Sequence, residues 1–154
     1  MKFDLFKDVK VTASPADYEA ALVWVQRVMQ AIESKSLDAL LDCFLDTAVV
    51  KFCHLPATAP TRESKALFVE WCYKFCKSFE FSPRNVAVTD TQIILQYMLE
   101  LAFEDGSADS LELVTTYQRN LDTPSSNKMS HVSIAGDLSR VHLKLVKYAG
   151  PPVW

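Results

Sequence analysis

The sequence predicts one α+β domain, in which an N-terminal helical layer packs against a curved antiparallel sheet and leaves a mostly apolar pocket between them. Apolar residues recur at helical spacing in the first half of the chain and at every second position after about residue 79. The 154 residues are 49% apolar and 23% charged, which is typical of a globular domain. Helices followed by consecutive strands indicate a layered α+β fold, with a core over about residues 15–148 and a tail over 149–154.

Three helices are expected before the main run of strands. The first is predicted over residues 17–34, because apolar side chains recur there at helical spacing and because Ser14 and Pro15 are residue types that favour a helix start. The same spacing predicts shorter helices over 36–46 and 61–78.

The strands follow from β-forming residues and from alternation. They are predicted over 48–54, 79–89, 91–104, 110–121 and 128–137, and a last strand is expected over 142–148. Because proline cannot donate a hydrogen bond to the sheet, Pro83 predicts a bulge or an edge position.

Alternation also assigns the inner face of the sheet. Pairing Leu99 with Thr115 brings the apolar faces of two long strands together and places Tyr97 opposite Tyr117. A slip of one residue would bury Glu112, so this pairing is favoured.

Two registers remain open for the strand 128–137. In the favoured one, which places Leu121 opposite Met129, the polar residues of the strand face inward. In the other, shifted by one residue, its apolar residues face inward. The polar set is His131, Ser133 and Asp137, and the apolar set is Val132 and Ile134.

Charge and hydropathy exclude several classes of function. The net charge is −3 without clustered lysine and arginine, which argues against nucleic-acid binding. No apolar run is long enough to span a bilayer, and the charged N-terminus lacks the apolar core of a signal peptide. We therefore expect no membrane partner and a cytoplasmic location.

The four cysteines are expected to be reduced, buried thiols. Cys72 and Cys76 are four residues apart on a predicted helix, but the second ligand pair of a structural zinc site is missing. Glycine-rich phosphate loops, dinucleotide fingerprints and nucleophile elbows are also absent from the sequence. We expect neither a metal nor a cofactor.

Three residues are candidates for catalysis. His131 suits general acid–base work because of its imidazole group, or it is a hydrogen-bonded histidine at the rim of the sheet. Asp137 is a candidate base, or a turn residue; strand rise places it about 20 Å from His131, so direct contact would need a bend at Gly136. Tyr117 could donate a hydrogen bond to a developing enolate, or pack in the core.

Further residues are candidates for substrate binding, each with a structural alternative. Arg119 could pair with an anionic substrate or lie solvated at a strand end, and Tyr97 could serve as a donor or pack in the core. His54 precedes a proline-bearing loop that could act as a lid. The other candidates are Ser133, Trp24 and Trp71.

Three stretches resemble the SnoaL-like polyketide cyclases, and their fungal relatives, of the nuclear transport factor two-like superfamily. Residues 37–44, followed by 49–52, are similar to that family's second helix and first strand. Residues 61–68 are similar to the start of its third helix, and residues 129–139 are similar to its last long strand. The resemblance covers about residues 15–140 and implies a cone-shaped sheet whose open end holds a ligand. It also implies a homodimer, which the outer sheet face with Ile94, Met98, Val114 and Thr116 would form.

The resemblance implies several activities, because fold alone does not fix function. The Asp-Arg-Asp set of limonene-epoxide-hydrolase-like members is not expected, since Leu121 stands two residues after Arg119. His54, His131 and the tyrosines allow a constellation related to that of scytalone dehydratase. The expected function is a cofactor-independent cyclase or isomerase of a polyketide- or terpenoid-derived secondary metabolite. The alternatives are a dehydratase of the same fold, or a non-catalytic module for small-molecule binding or dimerisation.

Overall fold

The computed structural model describes residues 13–119 and 128–154. In chain order the elements are α1 (Pro15–Glu33), α2 (Leu37–Leu41), β1 (Phe44–Phe52), α3 (Arg62–Phe75), β2 (Ser78–Val88), β3 (Gln92–Ala102), β4 (Ala108–Arg119), β5 (Met129–Ala135) and α4 (His142–Ala149). The strands form one sheet in the order β1-β5-β4-β3-β2, with β1 parallel to β5 and the other pairs antiparallel. The predicted α+β class is confirmed, and the core lies between the helices and the inner sheet face.

The helix starts follow the predicted caps. The Ser14 side chain accepts a hydrogen bond from the Asp17 amide at 3.2 Å, and the Thr61 side chain accepts one from the Ser64 amide at 3.2 Å. Both satisfy amides that have no partner within their own helix. The second predicted helix is wrong in length, because β1 already begins at Phe44.

The β3–β4 hairpin keeps the predicted faces but not the predicted register. Leu99 lies opposite Leu111 rather than Thr115, and Tyr97 lies opposite Leu113 rather than Tyr117. The chain reverses earlier than expected, at a tight turn in which Gly106 has a φ of 81°. Because the shift is an even number of residues, the same side chains still face inward.

The favoured register of β5 is wrong, and the alternative is correct. Val132 lies opposite Tyr117 and is buried, whereas His131 lies opposite Gln118. The register shifts between Gln118 and Arg119, which moves the pairing by one residue. The predicted partner of Met129, Leu121, lies outside the described residues.

Residues 142–148 form helix α4, so the strand expected there is wrong. The segment alternates like a strand, but Val141 and Leu145, four residues apart, are both buried as on one face of a helix. Leu143 remains exposed. The bulge expected at Pro83 is confirmed by a register shift between Pro83 and Asn85.

A buried lysine covers the free edge of β1. The Lys65 side chain is 1% exposed, and its Nζ donates to the carbonyl oxygens of Asp46, Ala48 and Thr61. Burial lowers the pKa of this ammonium group. Next to it, Thr58 binds both the amide and the carbonyl of Val50, so this edge offers few groups for pairing with another strand.

Candidate functional site

Two adjoining cavities lie between the helices and the inner sheet face. The first, here called the Tyr97 cavity, encloses about 520 Å³ of space between its lining atoms, part of it open to solvent. The second, the Tyr117 cavity, encloses about 450 Å³ on the same measure. The two cavities share the lining residues Ile32, Leu40, Phe68, Val69 and Ile134.

The walls of both cavities are largely apolar. Aromatic rings dominate the Tyr97 cavity, where Phe75 and Phe79 pack edge to face at 5.7 Å and Phe81 packs on Tyr97 at 5.3 Å. Aliphatic side chains dominate the Tyr117 cavity. Among the described residues, no carboxylate and no imidazole lines either cavity.

Three hydroxyl groups lie together on the inner sheet face and are here called the polar centre: Tyr97 lines the first cavity, Tyr117 lines the second, and Thr115 lines neither. The hydroxyls of Tyr97 and Thr115 are 3.0 Å apart, and both residues are buried. Burial raises the pKa of Tyr97 to about 12 and also raises the pKa of Tyr117, while hydrogen bonding to Thr115 opposes both shifts. The phenols therefore remain protonated near neutral pH and can donate hydrogen bonds.

Trp24 adds a donor without an acceptor. Its ring is 6% exposed and packs edge to face on Phe44 at 6.0 Å and on Tyr117 at 4.9 Å. The indole Nε1 is buried and has no hydrogen-bond partner among the described residues. A buried donor of this kind costs free energy unless a ligand or water supplies an acceptor. Trp24 itself is not a lining residue, but Phe44 and Tyr117 both line the Tyr117 cavity.

Arg119 is placed in an ion pair rather than in a cavity. Both of its terminal nitrogens donate to the Asp17 carboxylate, one of them at 2.7 Å, and Nη1 also donates to the Thr89 carbonyl oxygen at 2.9 Å. This pairing raises the pKa of Arg119 and lowers that of Asp17. It joins the first turn of α1 to the end of β4, and Arg119 lines neither cavity, so a substrate anion at Arg119 stays a prediction.

His131, Ser133 and Asp137 lie away from both cavities, contrary to expectation. The β5 register places His131 and Ser133 on the outer sheet face. Asp137 is an exposed turn residue whose carboxylate accepts from the Ser139 amide at 2.8 Å, and this bond lowers its pKa. The turn alternative is therefore the one that the structure shows for Asp137.

His54 and Trp71 also line neither cavity. The exposed His54 ring lies 5.7 Å from the His142 ring, between the end of β1 and the start of α4. The buried Trp71 donates from Nε1 to the Gly150 carbonyl oxygen at 3.0 Å and packs on Trp154. Trp71 thus holds residues 150–154, the segment expected to be a tail, against α3.

The cysteines are free thiols. Cys72 lines the Tyr97 cavity, and burial raises its pKa, so it remains a neutral thiol near pH 7. The pKa of Cys76 is raised to about 12 for the same reason. No group of three or more histidine, cysteine, aspartate or glutamate residues that could hold a metal ion occurs in the described part of the chain.

The sequence did not identify Thr115 and Lys65 as site residues, although both are buried at or near the cavities. Thr115 is a polar residue at an inward position between Leu113 and Tyr117, and that mismatch with an apolar face was the available signal. Lys65 lies near the start of α3 among charged neighbours, so nothing local distinguishes it from a surface lysine.

Comparison with solved structures identifies the fold. A protein assigned as a SnoaL-like polyketide cyclase of Jannaschia sp. CCS1 superimposes with a TM-score of 0.69 at 16% identity, covering 91% of this chain and 98% of that one. An epoxide hydrolase of M. tuberculosis, described as LEH-like, gives 0.64 at 9% identity over 84% and 92% of the two chains. This chain has the NTF2-like cone fold. TerC, co-crystallised with polyporic acid, gives 0.67 at 9% identity over 80% of this chain and 96% of that one.

Sequence comparisons add no closer relationship. No protein-family model and no curated protein sequence matches the chain. Among the described helices, none is long and apolar enough to cross a membrane.

Proposed function

We propose that the chain binds a largely apolar, oxygenated small molecule of the polyketide- or terpenoid-derived kind and promotes its cyclisation or isomerisation without a cofactor. The observation that carries the proposal is that one buried tyrosine of the sheet lines each largely apolar cavity, Tyr97 in the first and Tyr117 in the second. The Tyr97 hydroxyl lies 3.0 Å from that of Thr115, which is buried beside them on the same sheet face and lines neither cavity. Apolar walls with a few placed polar groups are the usual form of a small-molecule site.

The chemistry follows from the protonation state of the phenols. Because burial raises the pKa of Tyr97 and Tyr117, each can donate a hydrogen bond to a substrate carbonyl oxygen as negative charge develops there. The apolar walls hold the reacting parts of the substrate close together. When a carbon–hydrogen bond breaks, the proton goes to water and a proton returns from water, so the composition of the substrate is unchanged.

Structural neighbours support the proposal. Proteins of this fold include those assigned as SnoaL-like polyketide cyclases, and SalBIII, an epoxide hydrolase/cyclase-like enzyme of pyran ring formation in the polyether salinomycin, gives a TM-score of 0.66 at 9% identity. A dehydratase is less well supported, because His54 and His131 lie away from both cavities.

A non-catalytic binding module is the second candidate. It is favoured by one observation, that no carboxylate or imidazole lines the cavities among the described residues. Hydrogen–deuterium exchange separates the two candidates. The purified chain is mixed with 2-tetralone in D₂O, and loss of the α-proton signal is followed by NMR.

An enzyme of the proposed kind exchanges these protons faster than buffer alone, and Tyr117→Phe slows the exchange by about ten- to a hundredfold. Tyr148→Phe is the matched control, because Tyr148 stacks on Phe103 at 6.0 Å and lines neither cavity. Binding of the ketone with exchange no faster than in buffer would contradict catalysis and leave the binding module.

We further propose that the outer sheet face joins two copies of the chain. Val114 is 36% exposed there, beside the partly exposed Ile94 and Met98. Val114→Glu should convert a dimer to a monomer in size-exclusion chromatography with light scattering, whereas Val23→Glu on the exposed side of α1 should not. A monomeric wild-type chain at high concentration would contradict this interface.

A further inference from the structure

The order of the lining residues indicates that the two adjoining cavities lie end to end along one axis. Along α3, Lys65 lines only the Tyr117 cavity, and the next lining residues, Phe68 and Val69, line both. Further along, Cys72 and Phe75 line only the Tyr97 cavity. The helix therefore runs parallel to this axis.

Other elements show the same order. On α1, Val28 lines only the Tyr117 cavity and Ile32 lines both. On β5, Val132 lines only the Tyr117 cavity and Ile134 lines both. A common order on helices and strands is expected of cavities that lie end to end and not of two unrelated pockets.

The combined length of the two cavities follows from helix and strand geometry. From Lys65 to Phe75 the α3 axis advances about 15 Å at the helical rise. On the opposite wall, Leu113 lines the Tyr97 cavity and Tyr117 lines the Tyr117 cavity, and their backbones are about 14 Å apart at the strand rise. A compact bicyclic molecule would leave one of the two cavities empty.

The polar centre lies between the two ends. Tyr97 lines one cavity and Tyr117 the other. Thr115, which itself lines neither cavity, lies between Leu113 and Tyr117 on the inner face of β4, and its hydroxyl is 3.0 Å from that of Tyr97. On either side of this point the walls are largely apolar. The arrangement is therefore apolar, polar and apolar along the axis.

We infer that the ligand is a two-armed molecule with one apolar arm in each cavity and a carbonyl or hydroxyl oxygen between the arms. The inference rests on the proposed function and narrows its substrate class to elongated molecules whose oxygen lies near the middle. Such an oxygen would accept hydrogen bonds at the hydroxyl centre, while each arm would fill an apolar end.

Two isomeric ketones test the position of the oxygen. The probes are 7-tridecanone and 2-tridecanone, which have the same composition and nearly the same apolar area, so the hydrophobic contribution to binding is matched. Titration of the full chain, followed by tryptophan fluorescence, should give a dissociation constant about five- to tenfold lower for 7-tridecanone, the ratio expected for one net hydrogen bond.

Filling each end tests the two arms. Leu113→Trp fills part of the Tyr97 cavity and Val132→Trp part of the Tyr117 cavity, and each should weaken 7-tridecanone binding by about tenfold or more. Val23→Trp is the control, because Val23 is 67% exposed on α1 and lines neither cavity. Its affinity should equal that of the wild-type chain.

If a variant with a filled cavity does not fold, NMR on the wild-type chain tests whether each arm of the ligand occupies its own cavity. Bound 7-tridecanone should show two distinct terminal methyl signals, one with NMR contacts to Phe75 and the other with contacts to Val28. Equal or tighter binding of 2-tridecanone, or contacts of both methyls at one end, would overturn the inference and leave the proposed function standing. Binding of neither ketone would overturn both, whereas the predicted preference without proton exchange in 2-tetralone would overturn only catalysis.

Discussion

Replacing Thr115 by valine tests whether the hydroxyl centre serves the fold or the ligand. The substitution keeps the shape of the side chain and removes its oxygen. Thr115 is 1% exposed and Tyr97 is 4% exposed, so in this variant the Tyr97 hydroxyl loses its partner while its side chain stays buried. A buried hydroxyl left without a partner costs about 1–3 kcal/mol of unfolding free energy.

Removing the Tyr97 hydroxyl should lower the unfolding free energy less than removing the Thr115 hydroxyl. In Tyr97→Phe the Thr115 hydroxyl can turn toward Tyr117, whose pKa already responds to it, so we expect a loss of about 1 kcal/mol. The double variant removes both partners together. It should be less destabilised than the sum of the single variants by about 1–2 kcal/mol, since neither hydroxyl is left alone.

Urea unfolding followed by circular dichroism measures this cycle. Ketone titrations of the same proteins then measure ligand recognition. We expect the folded double variant to bind 7-tridecanone and 2-tridecanone with similar affinity, because most of the polar centre is gone. Additivity of the two single effects within about 0.5 kcal/mol would refute the pairing. An undiminished preference for 7-tridecanone would refute its role in recognition.

The remaining predictions concern stability and are measured by urea unfolding. Lys65→Met should lower the unfolding free energy by about 3–5 kcal/mol, because it leaves buried carbonyl oxygens without a donor. Lys144→Met removes a more exposed ion pair and should lower it by about 1 kcal/mol or less. Equal losses in the two variants would contradict this prediction. The ion pair with Arg119 lowers the pKa of Asp17. The contribution of this ion pair to the unfolding free energy is therefore complete above pH 3.8, the ordinary pKa, and is lost as the pH falls through the lowered pKa. Asp17→Asn should therefore flatten the acid limb of the stability curve, and an unchanged limb would contradict the pairing. Gly136→Ala should cost about 1–3 kcal/mol, because a Cβ there would lie 2.9 Å from a β4 carbonyl oxygen, and a neutral effect would show that the strands can separate slightly.

Alternation along a strand fixes which side chains share a face, but it does not fix which residues pair. The β3–β4 register was wrong by an even number of residues, and Tyr97, Leu99 and Tyr117 still face inward as predicted. The favoured β5 register was wrong by one residue, and this moved His131 to the outer face. The cause is a bulge beside a segment without strong alternation, which no local pattern reveals.

The chemistry of the residue types alone did not predict which polar side chains lie at the cavities. Histidine, aspartate and arginine were chosen because they can move protons or hold anions, but Asp137 caps a turn and Arg119 joins α1 to β4. Those roles depend on partners distant in the sequence, such as Asp17, and they become visible only in the folded chain. Tyr97 and Tyr117 were placed correctly because their position follows from alternation within one strand each.

The hydroxyl centre is the feature that the fold least requires. Valine and phenylalanine in place of Thr115 and Tyr97 would fill the same volume and leave no polar group to satisfy, so core packing alone does not explain the pair. Core packing alone does not explain Trp24 either, because its buried Nε1 makes no hydrogen bond to the described residues. Donors held in an apolar space at a cost to stability are expected where an oxygen of a ligand completes them. The proposed ligand would account for both the unsatisfied indole and the paired hydroxyls.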